Sequence, residues 1–126
     1  GATMAGSVMT FTEITHGTVK KIKAAWTSDD ATGAVSGTTD NYHDGRLIGA
    51  ITVPGGGAAA PDPNYDIAVN DSDSVDVALG ALANRHTSNT EFVAEASMAA
   101  VARSKLTIAV TNAGNANTGT LYLFIR

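Results

Sequence analysis

KLTIAVTNAGNANTGTLYLFIR, residues 105–126, places Leu106, Ile108 and Val110, and then Leu121, Leu123 and Ile125, at every second position. A period of two sends successive side chains to opposite faces of a strand, whereas a helix repeats its apolar positions every three or four residues. The eight residues between the runs, NAGNANTG, are types that tolerate left-handed backbone or hydrogen-bond their own chain. The segment reads as two strands and a turn, with the last strand held inside a sheet.

Working outward, SVMTFTEIT (7–15) reads as a first strand, His16-Gly17 as a turn, and TVKKIKAAWTS (18–28) as a second strand. In the second strand Ile22, Ala24 and Trp26 share one face and Lys21, Lys23 and Ala25 the other, which predicts one buried side, carrying the single tryptophan, and one wet side. SDDATGAVSGTTDNYHDG (28–45) is dense in turn formers and is expected to be a long loop or a loose hairpin around Ala34-Val35. RLIGAITV (46–53) and YDIAV (65–69) read as strands, and PGGGAAAPDPN (54–64) between them as a flexible linker. DSDSVDVALGALANRHTSN (71–89) fits a strand running into irregular structure as well as a short helix, and EFVAEASMAAVARS (91–104) fits helix or strand equally. Strands about ten residues apart, without alternating helices, point to an all-β fold: an antiparallel β-sandwich or jelly-roll-like small barrel with room for one short helix. Residues 4–126 form a single expected domain, and Gly1-Ala2-Thr3 before Met4 resembles a cloning remnant.

Composition narrows the function. The net charge is −4, with eight Lys and Arg in total, too few to neutralise a run of phosphates, so a nucleic-acid partner is not expected. The cluster Lys20, Lys21 and Lys23 reads as a solvated strand face. With no cysteine, the chain has no disulfide, thiolate metal site or thiol nucleophile. There is no run of about 18 apolar residues to span a bilayer and no basic-then-apolar leader, so neither a membrane partner nor secretion by a standard signal is expected.

Candidate chemistry is sparse. Asp71, Asp73 and Asp76 in NDSDSVD resemble a calcium loop, but a loop of the EF-hand type needs an oxygen ligand at its fifth position, glycine at its sixth and Glu at its twelfth, where Val75, Asp76 and Leu82 stand. They remain weak metal candidates beside the plainer reading of Asp side chains that cap turns. His16, His43 and His86 show no metal or triad spacing, Gly55 to Gly57 lack the Lys-Ser/Thr of a phosphate loop, and no GxSxG elbow is present. Asp29, Asp30, Asp40, Asp44, Asp62 and Asp66 all sit beside turn residues, and no pair stands out as a glycosidase couple. No catalytic residue, metal or cofactor is therefore expected.

The run YDIAVNDSDSVDVALGALANRHTSNTEF (65–92), followed by LTIAVTNAGNANTGTLYLFIR (106–126), resembles small structural proteins from the virion-morphogenesis clusters of tailed bacteriophages. The resemblance lies in Tyr65-Asp66, Asp71 to Asp76, Ala83-Asn84-Arg85, an Asn112-Ala113-Gly114 hairpin and the closing Leu121 to Arg126, and extends to ITHGTVKKIKAAW near the N-terminus. It implies a non-enzymatic virion component made in the bacterial host cytoplasm. It further implies a capsid decoration or cement protein on the head surface that forms a homo-oligomer, with a trimer favoured, and binds the major capsid protein or other virion proteins. A tail or head–tail component is the nearest alternative. Loops 28–45 and 54–64 and the first strand are the expected contact surfaces, with Asp30, Tyr42, His43, Asp44, Pro61 and Tyr65 as contact candidates. A carbohydrate-binding module stacking sugars on Trp26, Tyr42 and Tyr65 is the alternative from a different functional class.

Overall fold

The computed structural model describes residues 7–126. The expected cloning remnant 1–3 and the Met4 start lie outside them. Among the described residues, nine strands form two antiparallel sheets: β1 (Val8–His16), β2 (Val19–Thr27), β3 (Val35–Thr38), β4 (His43–Pro54), β5 (Asp66–Asn70), β6 (Glu91–Ala94), β7 (Ala100–Ser104), β8 (Thr107–Thr111) and β9 (Thr118–Ile125). The larger sheet has the order β1-β2-β9-β4-β6, with β7 also on β4, and the smaller has the order β3-β8-β5. β6 and β7 lie end to end along β4, β6 against Gly49 to Thr52 and β7 against His43 to Arg46. From β2 to β6 each strand crosses to the opposite sheet, and β7, β8 and β9 alternate in the same way, which is the winding of a jelly roll. The expected all-β sandwich is thus the fold.

The inner rows follow the sequence periods. Ile22, Ala24 and Trp26 of β2, Leu121, Leu123 and Ile125 of β9, and Leu47 and Ala50 of β4 are buried against Val35, Ile67, Val69, Ile108 and Val110 of the smaller sheet. The Trp26 and Tyr65 rings meet across this space with centroids 5.6 Å apart. β1 closes one side of the sandwich: Met9 and Phe11 turn inward over β3, where a side chain at Gly37 would press within 2.9 Å of the Phe11 ring. Glycine at 37 makes that closure possible.

Four expectations need correction. First, β8 and β9 do not form the closing hairpin; they lie in opposite sheets, β8 between β3 and β5, β9 between β2 and β4. The period identified both strands but not their partners, and the connector is long enough to cross the core's rim. There Ser28 Oγ donates to the Gly114 carbonyl (2.7 Å) and accepts from the Asn117 amide (2.9 Å), while Asn117 Nδ2 donates to the Ala113 carbonyl (2.7 Å). Second, the segment 28–45 is not one loop: VSGT makes β3, too short and too poor in apolar residues to signal itself, and β4 begins at His43. Third, 54–64 is not a flexible linker. Gly57–Ala59 is a 3-10 turn, Pro61 is buried, and backbone amides of Gly55 and Asp62 donate to the carbonyls of Thr118 (2.9 Å) and Ala113 (3.0 Å). Fourth, 71–89 is neither strand nor helix but a chain of turns that buries Val77, Ala78 and Leu82 and makes isolated bridges, Asn70–Asp76 at the end of β5 and Tyr65–Arg85 just before its start. For 91–104, which fitted helix or strand equally, the structure takes the strand: β6, a 3-10 turn at Glu95–Ser97 and β7.

Candidate assembly face

The outer surface of the larger sheet is built by the other parity of the same strands. Register places Ile14, Lys21, Phe124, Gly49 and Ala94 in one row across β1, β2, β9, β4 and β6, and Thr12, Lys23, Tyr122, Ile51 and Phe92 in the next. Thr10, Ala25, Thr120 and Val53 make a third row, and Val8, Thr27 and Thr118 a fourth. Phe92 is 64% exposed, Ile14 53% and Val8 52%. The Phe92 ring lies over Gly49, where a Cβ would come within 3.0 Å of it and 3.9 Å of Phe124, so the absent side chain lets the two rings share one ridge. Lys21 Nζ stands 5.4 Å from the centroid of the Tyr122 ring. Beside this ridge the small residues of the third and fourth rows leave a depression of about 340 Å³, bounded by Pro54 and Gly55. Exposed apolar groups scattered singly are ordinary, whereas here several stand together with aromatic rings on one sheet face.

The residues singled out from sequence fall elsewhere. Asp30, Tyr42 and Asp44 are exposed, but His43, Pro61 and Tyr65 are buried and cannot serve as surface contacts without unfolding their surroundings. Of the three rings considered for sugar stacking, Trp26 (2% exposed) and Tyr65 (1%) are core, because both lie on inward positions of the sandwich. Tyr42 is exposed, but Arg103 and Lys105 already stand 5.6 and 5.3 Å from its centroid. In the lysine cluster, Lys21 and Lys23 occupy the outer face, while Lys20 has the opposite parity and donates to the Asp44 carbonyl at 2.8 Å.

The calcium-like aspartates hold backbone. Asp71 Oδ1 accepts from the amides of Asp73 (2.9 Å) and Val75 (3.0 Å), and Asp76 accepts from Val69, Ala78 and Gly80, each at 3.0 Å. Among the described residues no group of three His, Asp or Glu side chains converges as a metal would require. Asp76 instead fastens the 71–89 turns to β5. Asp76→Ala is expected to lower stability by about 2 kcal/mol, read from urea unfolding, and added calcium should leave the wild-type midpoint unchanged; a calcium-dependent rise would restore the metal reading.

One buried ionisable pair ties β1 down. Glu13 Oε1 lies 2.8 Å from His43 Nε2, with both side chains 6% exposed, and the same carboxylate accepts from the amides of Asp40 (2.8 Å) and Asn41 (3.2 Å). Burial pushes the Glu13 carboxyl up, but the hydrogen bonds from His43, Asp40 and Asn41 and the charge of His43 outweigh it and hold the group below its ordinary 4.5. A carboxyl with a depressed folded pKa stabilises fully above its unfolded value and loses that contribution as pH falls through the folded one. Glu13→Ala is expected to cost about 2–3 kcal/mol near neutral pH, and the gap between wild type and variant should narrow as pH drops below about 4.5. A gap independent of pH would show that the carboxylate form is not what matters.

What sequence reading missed was the second parity of β9. Tyr122 and Phe124 alternate with Leu121, Leu123 and Ile125, so this strand is apolar on both faces, the pattern of a strand covered on both sides. Among the described residues only the inward side, with Leu121, Leu123 and Ile125, is packed over by the second sheet. No family model, curated protein or solved structure matches the chain.

Proposed function

We propose that this chain is a non-enzymatic structural protein of a tailed-phage virion, a decoration protein that seats on the head shell and reinforces it. The observation that carries the reading is the outer face of the larger sheet. Exposed Phe92, Ile14 and Val8, with Tyr122, Phe124 and Ile51 between them, form an apolar surface suited to permanent assembly. The sequence resemblance over 65–126 supports the setting. The fold suits a reinforcing role, because its connectors are held by backbone hydrogen bonds to one another and little ordering cost is left to be met on binding.

Self-association into a trimer belongs to the same proposal, with the exposed parts of segments 28–45 and 54–64, including Asp30, as the surfaces between copies. Light scattering on the purified chain reads its mass; a monomer at every concentration would remove the trimer. The function itself is tested on phage heads prepared without the chain. They should break at a lower temperature than complete heads, and adding the purified chain should restore the difference. Heads equally robust with and without it would overturn the assignment.

A further inference from the structure

Resting on that reading, we infer that the outer face of the larger sheet docks on a protein surface that is apolar at its centre and presents carboxylates toward Lys21 and Lys23. The charge distribution carries the argument. The chain has twelve Asp and Glu against eight Lys and Arg, yet none of the acidic residues stands in the four rows of this face, whose charged members are Lys21 and Lys23. A chain of net charge −4 therefore presents a positive face, and that face is also its apolar one. Covering an ammonium group with protein is unfavourable unless a carboxylate meets it, so a partner that buries Phe92 and Tyr122 must also supply acids beside the lysines. Shape adds a second requirement. The depression between Val8, Ala25, Val53 and Thr120 holds about 340 Å³, room for one large apolar side chain as an anchor.

A second copy fits this face less well. Two copies stacked face to face about a two-fold axis bring together faces whose charged members are lysines alone, so neither copy supplies the other a carboxylate. Meeting the face with the chain's own acids is little better, because many of them are engaged: Glu13, Asp29, Asp66, Asp71 and Asp76 all accept from backbone amides of the same chain. A different protein with free carboxylates around an apolar centre is the occupant that charge favours.

The test uses heads and tails of the phage that encodes the chain, separated and each mixed with purified full-length protein, with binding read by co-sedimentation at low and high salt. Lys21→Glu with Lys23→Glu tests charge, Phe92→Ser tests the apolar ridge, and Asp73→Lys, on an exposed turn remote from the face, serves as control; thermal unfolding of each checks that it folds. The expected result is binding that weakens with salt, falls at least tenfold in the double lysine variant and in Phe92→Ser, and is unchanged in the control. If heads bind wild type and both face variants alike, the inference falls while the function stands. If tails are the particle bound and the face variants lose that binding, the head assignment falls and the inference stands. Binding to neither overturns both, and a wild-type oligomer dispersed by Phe92→Ser gives the face to a second copy and overturns the inference.

Discussion

Removing residues 118–126 is expected to abolish folding altogether. β9 is the bridge of the larger sheet, registered along its length with β2 from Lys20 to Thr27 and with β4 from Leu47 to Pro54. Its inward residues Leu121, Leu123 and Ile125 are each fully buried. Reducing any one of them to alanine costs about 2–5 kcal/mol in a packed core, and the whole stability of a domain is about 5–15 kcal/mol. Losing all three, with both hydrogen-bonded ladders, exceeds what the remaining contacts supply. The truncated chain should show no cooperative thermal transition and should expose its tryptophan to quencher. Leu123→Ala is the graded companion, expected to fold with a loss of about 3 kcal/mol. A truncated chain that still melts cooperatively would mean that β2 and β4 are held together without β9.

The second large effect is expected at Gly119, which faces Trp26 across the β2–β9 ladder. A Cβ there would lie well inside van der Waals contact of the indole, 2.7 Å from Cε2. The indole is 2% exposed and packed on Tyr65, so a shift that relieves the clash disturbs that packing. Gly119→Ala is therefore expected to cost about 3 kcal/mol, at the upper end of overpacking effects, and to lower the melting temperature by about 10 °C. Because Trp26 is the only tryptophan, its fluorescence reports the displacement directly. Trp26→Phe removes the atoms that collide, so in that background the added methyl should cost at least about 1 kcal/mol less. Equal costs in both backgrounds would locate the strain elsewhere.

These two sites show what the sequence could express. The alternation in β2 and β9 identified strands and their buried faces, because one dry face leaves a period of two in the residue types. Pairing was not legible: β8 and β9 follow each other and look like a hairpin, yet Ser28, Asn117 and the 112–117 connector carry the chain across to the other sheet. β3 was hidden because a four-residue strand with Val35 as its one buried apolar side chain leaves no pattern to count. The Gly-rich and Pro-rich 54–64 misled for the opposite reason, since composition says nothing of the carbonyls of Thr118 and Ala113 that hold it. The aspartates at 71 and 76 were legible as turn caps. The apolar outer face was half legible, in the apolar residues at both parities of β9, but Phe92 and Ile14 joined it only through register.

The central position of β9 also constrains how the protein is made. Of the nine described strands it is the last to leave the ribosome, so β2 and β4 emerge before the strand that joins them. Until then Ile22, Trp26 and Leu47 have no completed sheet to enter, and the nascent chain carries the open strand edges that invite aggregation. Folding of the larger sheet thus waits for β9 to emerge, and the cell must keep an unfinished sheet apart from its neighbours until it does.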